Sequence, residues 1–126
     1  MPRVLLIEDE PVIGMVLQET LGDAGYAVEL MTNGRAALAR IDRPPVPGLV
    51  LLDLFLPEVK GRDLLVELRS RPAWREVPVL LVTGAVPFPD DFPPEGLYQG
   101  IIRKPFDLDD LLSRVHQFFA RGMENG

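Results

Sequence analysis

Leu49 to Leu52 form an unbroken apolar run that stops at an acid, Asp53. A strand with one wet face alternates apolar and polar residues. A continuous run instead marks a strand buried on both faces, as in a parallel sheet with helices on either side. Arg3 to Glu8, Pro78 to Thr83 and Gly100 to Arg103 read the same way, and Tyr26 to Met31 supplies a fifth strand. Each apolar run but that of Tyr26 to Met31 ends in a polar group able to do chemistry: Glu8, Asp53, Thr83 and, after Arg103, Lys104.

The segments between these strands have helical periodicity. From Pro11 to Ala24, Val12, Val16 and Thr20 with Ile13, Leu17 and Leu21 recur at i, i+4 and i+8. Pro11 suits a first helical turn and Gly25 a helix stop. Asn33 can cap a short helix carrying Ala36, Ala37 and Ile41. DRPPVPG then makes a loop, Gly61 to Ser70 a third helix through Leu64, Leu65 and Leu68, and Asp107 caps a last helix bearing Leu111, Leu112, Val115, Phe118 and Phe119. Strands joined by crossover helices give an α/β, doubly wound, five-stranded parallel sheet. One crossover is irregular. Pro87, Pro89, Pro93 and Pro94 fall between Thr83 and Gly100, so a helix there is expected to be short or missing and the Pro87–Pro94 stretch extended.

At roughly 150 residues per domain, a chain of 126 residues makes one domain, read as 1–120 with 121–126 as a C-terminal tail. That tail, RGMENG, holds no evident linker, which favours a stand-alone protein. The net charge of −6 opposes direct binding to nucleic acid or anionic lipid. The absence of cysteine removes disulfides, thiolate metal sites and cysteine nucleophiles. The N-terminal apolar run is only four residues, Val4 to Ile7, too short for a signal core or a membrane span, and a cytoplasmic protein is expected.

Ligands of an open parallel sheet bind beyond the carboxyl ends of its strands. There the chain places Glu8, Asp9, Glu10, Asp53, Thr83 and Lys104. Several carboxylates so close repel unless a cation compensates them, and one lysine is too little. An all-oxygen donor set with few protein ligands suits magnesium. A hard cation, a lysine and a hydroxyl together are suited to a phosphoryl group, with Asp53, central in the sheet, as the attacking carboxylate.

These residues resemble the response-regulator receiver domain of two-component signalling over essentially the whole chain. The resemblance rests on the pair Glu8 and Asp9, on Asp53-Leu54-Phe55-Leu56-Pro57 with Gly61 beyond it, on Thr83-Gly84, and on Lys104-Pro105-Phe106. It implies the flavodoxin-like strand order 2-1-3-4-5 and a phosphoacceptor at Asp53, fed by a histidine kinase or phosphotransfer protein. It further implies magnesium on Asp9, Asp53 and the Phe55 carbonyl, Glu8 acting through a metal-bound water, a switch hydroxyl at Thr83, a phosphoryl contact at Lys104 and a cis bond before Pro105. Family members commonly have an aromatic switch residue where this chain has Ile101. The residues two beyond the phosphoacceptor and the threonine, which flank the hydrolytic water in the family, are Phe55 and Ala85. With the fourth helix eroded, a monomer or weak homodimer is expected.

Blander roles suit the remaining candidates. Glu10 reads as a helix N-terminal acid, Lys60 as lying away from the site, Trp74 as a loop pin, Tyr98 as a surface contact, and Phe106, Phe118 and Phe119 as core. His116, mid-helix, is not expected to bind metal or relay phosphate. Two other functions compete with the receiver reading. An aspartyl-phosphate-type phosphatase needs a second acid two residues after the nucleophile, where this chain has Phe55. A pseudo-receiver acting only as an interaction module has no need of Asp9, Asp53, Thr83 and Lys104 together. The chain is therefore expected not to be an enzyme beyond slow self-dephosphorylation.

Overall fold

The computed structural model describes residues 1–84 and 92–125, with side chains through Ala120. The strands are β1 (Arg3–Ile7), β2 (Ala27–Met31), β3 (Leu49–Leu52), β4 (Val79–Thr83) and β5 (Gly100–Arg103). The helices are α1 (Pro11–Asp23), α2 (Gly34–Arg40), α3 (Gly61–Ser70) and α4 (Leu108–Asn125), with a 3-10 turn at Pro72–Trp74. All strand pairs are parallel and the order is β2-β1-β3-β4-β5. The chain thus leaves β1 for one edge, then crosses back to build outward from β3, and the switch point lies between β1 and β3.

The pleat divides the core. Leu5, Ile7, Val50, Leu52, Val79 and Leu81 face α2, α3 and the buried Trp74, whereas Val4, Leu6, Leu49, Leu51, Leu80 and Val82 face α1 and α4. Local chemistry sets the helix ends. Pro11 opens α1, Gly25 turns the chain after it at φ 100°, and Asn33 Oδ1 accepts from the Ala36 N–H at 2.8 Å. Asp107 Oδ1 accepts from Asp109 N at 2.8 Å at the start of α4.

Two expectations need correction. Of the two stripes proposed for α1, Ile13, Leu17 and Leu21 pack on the core, but Val12 stands in solvent at 68% exposure; the wider apolar surface of this helix is not all core. The last helix continues to Asn125, so most of the expected tail is helical backbone. Trp74 is 2% exposed, with Arg40 over its ring at 5.6 Å, and so pins the turn after α3 into the core.

Between β4 and β5, the described residues 84 and 92–99 contain no helix, in keeping with the prolines; Ala85 to Asp91, and so most of the Pro87–Pro94 stretch, lie outside the described residues. Arg69 of α3 anchors the described part. It donates to the Leu97 carbonyl at 2.7 and 2.9 Å, to those of Trp74 and Val77 at 3.0 and 2.7 Å, and to Gln99 Oε1 at 3.0 Å.

Candidate functional site

Register brings the acids together. Ile7 pairs with Leu52, so Glu8 and Asp53, one residue beyond each, emerge side by side, and Asp53 N–H donates to the Ile7 carbonyl at 3.0 Å. Thr83 pairs with Arg103, and the Lys104 N–H donates to the Thr83 carbonyl at 2.8 Å, which sets the lysine across the rim from the acids. Carboxylate oxygens of Glu8, Asp9 and Asp53 lie within 4.8 Å of one another, a grouping able to hold a hard cation.

Lys104 is the counter-ion of this rim. Its Nζ lies 2.7 Å from Glu8 Oε1, 3.1 Å from Glu10 Oε2 and 3.2 Å from Asp53 Oδ2. Burial pulls its pKa down, but hydrogen bonds to Glu8 and Glu10 and the charges of Asp53 and Glu8 outweigh this and hold the ammonium above its ordinary range. Burial pushes Glu8 up to about 7, aided by Asp53 and opposed by Lys104 and the Glu10 N–H.

The segment after Asp53 is tightly seated. Phe55 N–H donates to Asp53 Oδ1 at 3.0 Å, and Gly61 N–H to the Leu54 carbonyl at 2.9 Å. A Cβ on Gly61 would lie 2.5 Å from Leu54 Cα and 2.6 Å from the Asp53 carbonyl oxygen, so only glycine lets α3 start this close to the acid. The Thr83 hydroxyl is fully buried and, among the described residues, has no hydrogen-bond partner.

The rim therefore brings Glu8, Asp9, Asp53, Thr83 and Lys104 to adjoining strand ends, with a cis bond between Lys104 and Pro105. Two residues sit differently. Glu10 flanks α1 but makes no capping bond with its side chain, which reaches Lys104 instead. Lys60 borders a cavity of about 430 Å³ with Asp9, Leu54, Phe55, Leu56 and Pro57, so it lies beside the site. His116 stands elsewhere, bonded through Nδ1 to the Tyr26 hydroxyl. Arg69 was not singled out by the sequence, and its only signal there is a basic residue late in an otherwise amphipathic helix.

A family model, the response regulator receiver domain, matches residues 4–116. The chain belongs to this family. The transcriptional regulatory protein TcrA of Mycobacterium tuberculosis is 33% identical over 121 residues, 95% of this chain and 47% of TcrA; the chain spans about half the length of the curated relatives it matches. The receiver domain of the sensor histidine kinase PA1611 from Pseudomonas aeruginosa superposes with a TM-score of 0.84 at 26% identity, covering 94% of this chain and 98% of that one, and holds magnesium in its active-site cleft. The response regulator TrrA from Thermotoga maritima, in complex with magnesium and beryllofluoride, gives 0.81 at 27% identity over 94% of this chain and 99% of that one. Receiver domains of response regulators take phosphoryl groups from histidine kinases. Among the described residues no helix is long and apolar enough to cross a membrane.

Proposed function

We propose that this domain accepts a phosphoryl group on Asp53 from the phosphohistidine of a kinase or phosphotransfer protein. The observation that carries the reading is the joint presence, on one rim, of the acid cluster, a lysine on Asp53 and a buried hydroxyl at Thr83. A carboxylate oxygen of Asp53 attacks phosphorus, the P–N bond to the donor imidazole breaks, and its electron pair leaves on the ring nitrogen. Lys104 follows the charge that accumulates on the phosphoryl oxygens, and the Thr83 hydroxyl, which has no partner among the described residues, donates to one of those oxygens in the product.

The donor set fits magnesium: Asp9 and Asp53 would hold it, with the Phe55 carbonyl, and Glu8 through water. Bound there, it supplies charge neutralisation for the phosphoryl oxygens. We read the domain as a signalling acceptor rather than an enzyme, because Phe55 stands where a phosphatase needs a general acid. A monomer or weak homodimer, with no direct nucleic-acid contact by this domain, accords with the net charge of −6 and with the absence of a helix among described residues 92–99. Incubation with acetyl phosphate and magnesium, read by intact mass, is expected to add one phosphoryl group; no adduct under saturating donor would overturn the reading.

A further inference from the structure

Glu10 is the outermost partner of Lys104. Its side chain is 54% exposed, against 1% for Glu8 and 5% for Asp53. It lies outside the three-acid grouping of Glu8, Asp9 and Asp53, and α1 makes no use of its carboxylate as a cap. Glu10 and Asp53 each accept a hydrogen bond from Nζ and Glu8 lies 2.7 Å from it, so three carboxylates crowd an ammonium that has three N–H groups to donate. A phosphoryl oxygen arriving from solvent must therefore displace one of them.

We propose that Glu10 is a positioning residue, an outer anchor that holds Lys104 at the mouth of the site at rest and is the contact given up when a phosphoryl group seats on Asp53. This rests on the phosphoacceptor reading above. Breaking the Glu8 contact would strand a buried carboxylate, which is strongly unfavourable. Releasing Glu10 returns a half-exposed carboxylate to water, at the small cost typical of exposed ion pairs. Glu10 is also the most exposed of the carboxylates on Lys104, so it opposes an incoming dianion twice, by competing for the lysine and by like charge. The anchor thus weakens phosphoryl binding and keeps the lysine ordered until that group arrives.

The test is a beryllofluoride titration of the full chain in saturating magnesium, followed by fluorine NMR, with the Lys104 ammonium observed by nitrogen NMR in the metal-free protein. Glu10→Gln is expected to lower the half-saturating beryllofluoride concentration about two- to five-fold, the range of an exposed ion pair. The same substitution should speed hydrogen exchange at the Lys104 ammonium. Glu10→Asp separates contact from field, since it keeps the charge on a side chain one methylene shorter; if contact with Nζ matters, its ammonium exchange rises as in Glu10→Gln. Exchange in Glu10→Asp equal to the native rate, or unchanged beryllofluoride affinity in Glu10→Gln, overturns the proposal while leaving the phosphoacceptor reading intact. A native chain that takes up no beryllofluoride overturns both.

Discussion

Lys104 Nζ lies 2.7 Å from Glu8 Oε1, in an ion pair with 15% of one side chain and 1% of the other exposed. Burial nevertheless lifts Glu8 to about 7, from 4.5 when solvated. Between these values the folded chain keeps a proton that the unfolded chain has lost, so stability is greatest below pH 4.5 as far as Glu8 is concerned and is lost as pH rises through 7. In metal-free buffer the melting temperature is expected to fall from pH 5 to pH 7.5, and Glu8→Gln to flatten that slope. An identical slope in the variant would assign the effect to other groups.

Asp53→Asn is expected to abolish the phosphoryl adduct on intact mass, because an amide is a poor nucleophile and a poor metal ligand. The fold should survive, since Oδ1 can still accept from Phe55 N–H. Four acids, Glu8, Asp9, Glu10 and Asp53, share this rim with Lys104, so neutralising one by substitution relieves like-charge repulsion and should raise the metal-free melting temperature. A lowered melting temperature would show that the Asp53–Lys104 contact outweighs the repulsion.

Magnesium should stabilise the chain through the same acids. At a hundred times its dissociation constant a ligand of the folded state adds about 2.7 kcal/mol. Native protein should therefore melt higher in saturating magnesium, and Asp9→Asn should show little of that shift. Equal shifts would place the ion elsewhere.

The legible part of this protein was its strand ends. Apolar runs that stop at Glu8, Asp53, Thr83 and Lys104 fix both the sheet and the chemistry, because a parallel sheet sends all its carboxyl ends to one rim. Less legible were contacts made by long side chains across elements. Glu10 looked like a helix-end acid because its partner lies ninety-four residues away. Arg69 carried no sequence signal beyond being a basic residue late in a helix, whereas its guanidinium ties together carbonyls at Trp74, Val77 and Leu97 that no local pattern connects.

Arg69 gives a prediction of its own. Arg69→Leu keeps the aliphatic stem but leaves those carbonyls without their donor, and should cost about 3 kcal/mol, the sum of a few lost hydrogen bonds to a charged group. Urea unfolding measures this. Because the network is on the far end of α3 from Gly61, phosphorylation of Asp53 by acetyl phosphate should persist in the folded fraction.

The lifetime of the phosphorylated state should depend on Phe55. Hydrolysis needs a water in line with the acyl phosphate, and an oriented water reacts far faster than one that must be captured at random. Phe55 lies two residues beyond Asp53, its backbone N–H already donates to Asp53 Oδ1, and its 42% exposed side chain lines the cavity beside Asp9. A phenyl ring at this position offers no hydrogen bond to such a water and limits its approach; the second flanking position, Ala85, lies outside the described residues and has no polar side-chain atom. Self-dephosphorylation is therefore expected to be slow. Phe55→Asn, which supplies both a donor and an acceptor, should shorten the lifetime by about ten-fold, less than the roughly hundred-fold or more of a full general acid or base because an amide orients the water without taking its proton, whereas Arg35→Ala, at an 81% exposed side chain paired with Glu58, should leave it unchanged. Loss of label from the phosphorylated protein over time measures both, and a Phe55→Asn lifetime equal to or longer than the native one would mean that water access at this position does not limit hydrolysis.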